Sequence, residues 1–469
     1  MLQIAFTSTI VEITSPDRLG FSKINLIKER LKAFDAGKMF MAKKRGFETD
    51  NSRYFYKDVN KPYGKGIEFS IAMSPYVAAW IYGNAKDDAA LVDIADRIKE
   101  ETVLVGVKIM EEDEYLFSFP TLDYRPNHIQ ALERLVKNRF GILEATMASG
   151  KTIMIGVVLK ALYDKGYKTM LVLTESASDA KEFEKQWKPF DTLYSMITAG
   201  TVKVLSKGAD DKLTGQYDVV IFDECHKRVS AMKKIVQKLK PRIVYGFTGT
   251  VPSDKLKAMS LFEVLGPKTK AGSMREQMDS GVLQKIAVSV YTIHRDESEK
   301  REPESYLHER RLMSVDSRRN TAVVKVVKWY YKLKRNILVF CDLIKQSDII
   351  SSMLEEDGIP FMVIRGGWTP DDLDEAKATA AKQQGLVIIT SWKVFAEAKN
   401  IPALDTSIVA GSLKSETTVI QATGRLARIG GHEISEIVEL MDNAYRWSPG
   451  HTRTRLAYYK KLGLPIEYR

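Results

Sequence analysis

The sequence predicts an α/β protein, with two doubly wound parallel-sheet domains in series behind a small α+β N-terminal domain. Three observations carry this prediction. From about Phe140 onward, short apolar or β-branched runs alternate with helical stretches, the pattern of βα units whose sheet is covered on both faces. The runs "FGILEA", "TMLVLT", "VKVLS", "YDVVIF", "RIVYGFTG", "NILVFC", "FMVIRG", "LVIIT" and "TSIVAG" fit two such sheets better than one. The chain has 469 residues, more than one ordinary core accommodates. A charge-rich segment after a strand, "DSGVLQKIAVSVYTIHRDESEKREPES", marks the junction. The expected domains are residues 1–115, 116–287 and 288–469.

The N-terminal part reads differently. Positions 21–68 interleave cations with aromatics: Lys28, Arg30, Lys43, Lys44 and Arg45 alternate with Phe47, Tyr54, Phe55 and Tyr56. Basic residues neutralise phosphates and aromatics stack on bases. A small α+β domain with an ordinary basic surface over an aromatic core fits the same pattern. The net charge is +11, with an isoelectric point near 9.2, which favours a polyanionic partner. Cys225 and Cys341 are the only cysteines, which excludes a disulfide framework and a cysteine-rich zinc site. There is no long apolar run and no basic-then-apolar leader, so the expected location is the cytoplasm, or the host cytoplasm if the gene is a phage's.

The next element carries chemistry. In "ILEATMASGKT" an apolar strand leads into Ala148, Ser149, Gly150, Lys151 and Thr152, and a helical stretch follows. This is a phosphate-binding loop, in which backbone N–H groups and a helix N-terminus cradle an anion. Lys151 is expected to reach the β and γ phosphates of ATP, and Thr152 to ligate Mg²⁺. Two usual glycines are replaced by Ala145 and Ala148, both small enough for the loop to close. Further on, "VVIFDECHKR" ends a strand on two acids. Asp223 suits Mg²⁺, mostly through water, and Glu224 suits orienting and deprotonating the attacking water. Cys225 and His226 lack the neighbours a zinc site needs. Then "GFTGTVP" supplies Thr248 and Thr250 after another strand, in order for a coupling element with His226. Near the end, "VIQATGRLARIG" spaces Gln421, Arg425 and Arg428 along one helical face. Paired guanidiniums suit a triphosphate's transition-state charge.

The ordered set "YRPNHIQ", "ATMASGKT", "DECH", "TGT" and "QATGRLAR" resembles the superfamily 2 helicases of the DExH group, from about Tyr124 to the end. Within that family it is most similar to phage recombination helicases of the UvsW type. The resemblance implies two RecA-like domains with ATP bound between them. It implies an adenine-reading Gln130 with Arg125 beside it, and an arginine pair completing catalysis from the second domain. It implies nucleic-acid contacts at Thr174, Ser206, Gly366 and Thr390. "QW" at Gln186–Trp187 matches a frequent pair of the family. The fifth helicase motif departs: "TSWKVFAEAKNIP" has Ala398, Lys399 and Asn400 where glycine and an apolar–acidic pair are usual. The missing acid removes a contact to a ribose 2′-hydroxyl and favours DNA.

The expectation is an ATP- and Mg²⁺-dependent DNA helicase or translocase on branched DNA, acting as a monomer without sequence preference or membrane partner. An RNA helicase shares every ATP-site residue. A duplex translocase of a restriction system needs a partner nuclease. A remodelling protein with a degenerate ATPase fits the altered loop and fifth motif.

Overall fold

The computed structural model describes residues 2–35, 52–62, 64–109, 126–146, 149–198, 200, 202–206, 213–281, 283–364, 385–391, 404–426 and 432–469. The chain forms two compact units, Met1–Gly272 and Ser273–Arg469.

The first unit opens with strands β1 (Gln3–Phe6) and β2 (Ile10–Ser15), helix α1 (Arg18–Arg30), and short strands β3 (Lys32–Phe34) and β4 (Ser52–Tyr54). Strands β5 (Tyr56–Lys61) and β6 (Gly64–Ser70) complete an antiparallel sheet of order β1-β2-β6-β5. Helices α2 (Ser74–Asn84) and α3 (Ala89–Thr102) follow. Alternation sets this sheet: Val11, Ile13, Ile67 and Phe69 turn inward against Ile24 and Ile27 of α1. Phe55 is core, as one reading of the aromatic pattern expected. Much of the positive charge there is already paired. Lys28 meets Asp58, Lys61 meets Glu12, and Lys57 meets Glu68 at 2.6, 3.2 and 3.3 Å. Lys43, Lys44, Arg45 and Phe47 lie outside the described residues, as does the expected boundary between 115 and 116.

The six-stranded sheet of this unit is parallel. Its elements run α4 (Pro126–Val136), β7 (Phe140–Glu144), α5 (Lys151–Asp164), β8 (Met170–Thr174), α6 (Ala177–Trp187), α7 (Asp191–Thr198), β9 (Val202–Ser206), β10 (Val219–Asp223), α8 (Val229–Leu239), β11 (Ile243–Thr248), α9 (Lys255–Leu265) and β12 (Lys268–Lys270). The strand order is β12-β7-β11-β10-β8-β9. Buried on both sides, its strands read as unbroken apolar runs. Val219 and Ile221 face one core, with α4–α7; Val220 and Phe222 face the other, with α8 and α9. That second core is continuous with the N-terminal domain's. Gly266 marks the closest approach: with φ +85°, a Cβ there would lie 2.9 Å from Phe140 and 3.1 Å from the Ala72 carbonyl.

The second unit has α10 (Met274–Asp279), β13 (Lys285–Ile293), α11 (Tyr306–Val315), α12 (Ser317–Lys332), β14 (Ile337–Cys341), α13 (Ile344–Glu356), β15 (Phe361–Ile364), β16 (Val387–Ser391), β17 (Thr406–Val409), α14 (Glu416–Leu426), β18 (Ile434–Asp442), α15 (Ser448–Lys461) and β19 (Ile466–Tyr468). Its sheet is parallel, of order β15-β16-β14-β17-β18-β13-β19. The boundary expected after residue 287 falls inside β13, which pairs with β18 from Lys285 onward; the unit itself begins at Ser273. The two doubly wound sheets and the α+β N-terminal domain are the predicted fold class, with RecA-like domains.

Buried ions tie this unit together. Arg455 Nη2 meets Glu439 at 2.6 Å, and the Tyr459 hydroxyl donates to the same carboxylate at 3.0 Å. The buried Glu309 carboxylate accepts from the N–H groups of Arg446, Trp447 and Ser448 at 2.8, 2.9 and 2.7 Å. Helix α15 has no capping side chain of its own, so Glu309 satisfies donors that would be orphaned at its N-terminus.

Candidate active site

Three neighbouring strands of the first sheet deliver three motifs to one edge. Their sheet order is β7-β11-β10, so the turn after β11 sits between the loop after β7 and the acidic pair after β10. Ligands of such sheets bind beyond the strand C-termini.

The loop after β7 ends on Gly150, with φ 81° and ψ 33°. An L side chain is strained in that conformation, which is why glycine stands there. A Cβ at Gly150 would meet nothing within 4 Å, so the backbone there faces open space. Lys151 is the first residue of α5, and the Gly150 carbonyl accepts from the Ile153 and Met154 N–H groups. The Ser149 hydroxyl folds back onto the Thr146 carbonyl at 2.6 Å. Ala145, which replaces the usual glycine, is buried, and its N–H donates to the Thr248 carbonyl at 2.9 Å. The substitution therefore fits inside the core without opening the loop. Trp187 fixes the other side: its indole N–H donates to the Thr152 carbonyl at 3.0 Å. Trp187 of the "QW" pair thus holds the first turn of the phosphate-loop helix, a structural task that the two letters alone do not disclose.

The acidic turn is built just as tightly. Glu224 has φ 43°, a left-handed conformation that costs a residue with a Cβ about 1 kcal/mol. The Cys225 N–H donates to the Phe247 carbonyl at 3.0 Å, and its side chain is buried against Gly246. Glu224 Oε1 lies 3.5 Å from Lys151 Nζ, and Oε2 lies 3.3 Å from His226 Nδ1. Burial pushes the Glu224 carboxyl up, but Lys151, the His226 hydrogen bond and Lys227 outweigh it and hold the group well below the usual carboxylate range.

His226 Nδ1 also lies 2.8 Å from Thr248 Oγ1. That hydroxyl donates to the Thr250 carbonyl and accepts from the Thr250 N–H, at 3.1 and 3.2 Å. Its one proton is thereby committed, so it accepts from His226, and Nδ1 carries the proton. The Glu224 carboxylate beside Nδ1 favours the same tautomer. Buried His226 Nε2 and Thr250 Oγ1 have no hydrogen-bond partner among the described residues. The structure thus joins Lys151, Glu224, His226, Thr248 and Thr250 in one chain of contacts. No cluster of three or more metal-ligating side chains occurs among the described residues. Asp223 ends β10 and Thr152 is the second residue of α5, both oxygen donors of the kind Mg²⁺ takes.

Other predicted residues divide. Gln130 is exposed on α4, and Arg125 and Ala148 lie outside the described residues. Thr174 is fully buried, its hydroxyl 2.9 and 3.3 Å from the Ser176 and Leu205 carbonyls. Thr390 is likewise buried, its hydroxyl 3.1 Å from the Ile364 carbonyl. Ser206 lies in β9 opposite Thr174. Gly366 and Arg428 fall outside the described residues; Gln421 and Arg425 lie on α14, with their side chains outside the description.

Known proteins resemble the chain in both units. Residues 319–430 match the family described as helicase conserved C-terminal domain, and residues 179–253 match type III restriction enzyme, res subunit. The ATP-dependent DNA helicase uvsW of Enterobacteria phage T4 is 21% identical over 253 residues, 53% of this chain and 50% of that protein. The match therefore spans half that relative's length. Among solved structures, the DUF1998 helicase MrfA bound to DNA is similar over 78% of this chain and 56% of its own, with 12% identity and a TM-score of 0.55. The ATP-dependent type ISP restriction-modification enzyme LlaBIII bound to DNA is similar over 74% of this chain and 31% of its own, with 16% identity and a TM-score of 0.52. Both likenesses support the fold. No described helix is long and apolar enough to cross a membrane. With its motifs in order on the strands that should carry them, and residues 319–430 matching a helicase conserved C-terminal domain, the chain is similar to the superfamily 2 helicases.

Proposed function

We propose that the protein is an ATP-dependent DNA helicase or translocase that acts on branched DNA: forks, displacement loops and four-way junctions. The observation that carries it is the run of contacts from Lys151 through Glu224 and His226 to Thr248, beside the open backbone at Gly150. Gly150 and the α5 N-terminus offer N–H groups to phosphate, and Lys151 supplies a positive charge. Thr152 and Asp223 suit Mg²⁺, which when bound neutralises phosphate charge. Glu224, held ionised, accepts the proton of the attacking water as its oxygen bonds to the γ-phosphorus. The bond to the β-bridging oxygen breaks, and its electron pair stays with the departing diphosphate. Arg425 and Arg428 are proposed to stabilise charge in that step, with Gln421 beside them. His226 shares its Nδ1 proton between Glu224 and Thr248, so a change at the carboxylate is felt in the Thr248–Thr250 turn. The relative's printed activity and the missing acid of the fifth motif support DNA over RNA.

The family match named for a restriction-enzyme subunit supports a second reading, translocation along duplex without unwinding. One comparison separates these. Purified protein is given a fork, a four-way junction, a tailed DNA duplex and an RNA duplex, with ATP hydrolysis and strand products followed together. ATP-dependent processing of the branched substrates above the tailed duplex is expected. Higher activity with RNA selects an RNA helicase. Displacement of a third strand from a triplex, without unwinding, selects the duplex translocase. No polynucleotide-stimulated hydrolysis, with Lys151→Ala the same as the parent, sinks both.

A further inference from the structure

The strand that leads into the phosphate loop ends on an acid to which none of the motifs gives a task. Glu144 closes β7, opposite Thr248 of β11 on one side and Lys270 of β12 on the other. Its side chain is 16% exposed. Its main chain belongs to the sheet: the Glu144 carbonyl accepts from the Ala271 N–H at 2.9 Å. Its carboxylate reaches past the sheet. Oε1 accepts from the Val251 N–H at 2.9 Å, beyond the end of β11, and Oε2 lies 3.3 Å from Lys268 Nζ.

Val251 is where the chain leaves the turn that His226 grips. Thr248 Oγ1 ties back to the carbonyl and N–H of Thr250 and meets His226 Nδ1. Side chains from two other strand ends thus reach one short turn. His226, after β10, holds its entry, and Glu144, on β7, holds its exit. A carboxylate that merely satisfies one main-chain donor would explain the Val251 hydrogen bond. It would not explain why the donor lies on the turn joined to His226 while the acceptor lies on the strand that continues into the phosphate loop.

We propose that Glu144 is a positioning residue. It pins the exit of the Thr248–Thr250 turn to the phosphate-loop strand, which keeps Thr248 within reach of His226 and makes the turn answer to the ATP site. The inference rests on the ATP-driven strand movement proposed above. Glu144 acts through the turn rather than on the nucleotide. The hydrogen bond carries this role, not the ion pair. Lys268 is 39% exposed, and ion pairs so open to water contribute little. A main-chain donor shielded from water loses much more when its acceptor goes.

The test uses the full chain. Glu144→Ala removes the acceptor, Glu144→Gln keeps an acceptor without the charge, and Lys268→Ala removes the ion pair alone. Each variant is measured for thermal midpoint, KM for ATP, polynucleotide-stimulated hydrolysis, and strand movement per ATP consumed. Glu144→Ala is expected to lower strand movement per ATP about fivefold while changing the KM for ATP less than about twofold. Glu144→Gln and Lys268→Ala are expected to stay within about twofold of the parent on every measure. Because Glu144 and His226 hold the same turn, Glu144→Ala combined with His226→Ala should lose no more than about twofold beyond His226→Ala alone, whereas independent losses multiply. The buried Val251 side chain keeps the path of the chain when the carboxylate is removed. Glu144→Leu, of similar bulk and with no acceptor, repeats the measurement if the alanine variant melts below the assay temperature. Strand movement per ATP equal to the parent's in Glu144→Ala and Glu144→Leu overturns the proposal. So does a multiplied loss in the double variant, or Glu144→Gln as impaired as Glu144→Ala. A parent without polynucleotide-stimulated hydrolysis overturns the helicase reading and this proposal together, whereas an active parent with unimpaired Glu144→Ala overturns this proposal alone.

Discussion

Glu224 sits between Lys151 and His226, and its chemistry at working pH is set by that position. A carboxyl held well below its ordinary value of 4.5 stays ionised below that pH; the stability it contributes is fully present above 4.5 and is lost progressively as pH falls from there through the folded-state value. The pH profile of hydrolysis should therefore show no acidic limb from Glu224 between about pH 5 and about pH 8, measured as initial rates under saturating ATP. Glu224→Gln should cut hydrolysis at least about a hundredfold while leaving nucleotide binding within a few-fold, read by titration with a fluorescent ATP analogue. His226→Ala should leave ATP binding intact and slow strand movement about tenfold more than hydrolysis, because it breaks the link to Thr248 rather than the site itself. The cysteine beside these residues is only packing: buried Cys225 fills the space against Gly246.

Helices and strands divide into those that apolar pattern reveals and those it hides. All nine runs read from Phe140 onward are strands, since burial on both faces writes itself as unbroken Val, Ile and Leu. Strand β18 escaped that pattern because "ISEIVELMD" carries Glu436 and Glu439 inside it; Glu439 is buried only because Arg455 and Tyr459 answer it from α15. Strand β12, "KTK", has no apolar signal at all and is held by backbone register to β7. The ATP-site motifs were legible because they are local. Trp187 was legible only as half of a pair, since its partner is a main-chain carbonyl 35 positions away. Trp187→Phe keeps the ring but removes that hydrogen bond, and should cost about 1 kcal/mol and raise the KM for ATP, read by thermal midpoint and by hydrolysis at graded ATP. Glu309→Ala strips the cap from α15 and should lower the denaturation midpoint of the second unit by an amount equivalent to about 3 kcal/mol, followed by Trp447 fluorescence in an otherwise Trp-free background.

At the scale of the molecule, the first unit is two architectures on one core. Ile67, Phe69 and Met73 of the N-terminal domain and Phe140, Val244 and Leu265 of the parallel sheet belong to one buried cluster. Arg139 donates its backbone N–H to the Thr102 carbonyl, and Glu263 takes both Lys233 at 2.5 Å and Arg53 at 3.9 Å. Composition marked the N-terminal region as different, but no stretch of sequence announced that it shares a core with the parallel sheet, because that contact lies between residues far apart in the chain. Removing residues 1–109 should therefore leave the remainder aggregated, eluting in the void volume on gel filtration, whereas a domain on a simple tether would leave a soluble remainder. The same continuity bears on inheritance. A recombination that exchanged only the N-terminal segment with a relative's would carry over half of a matched surface, with Gly266 on one side and Ala72 on the other. Such an exchange keeps the fit only where the donor also brings the α9 and β7 faces, so residues 1–272 are expected to be exchangeable only as one cassette.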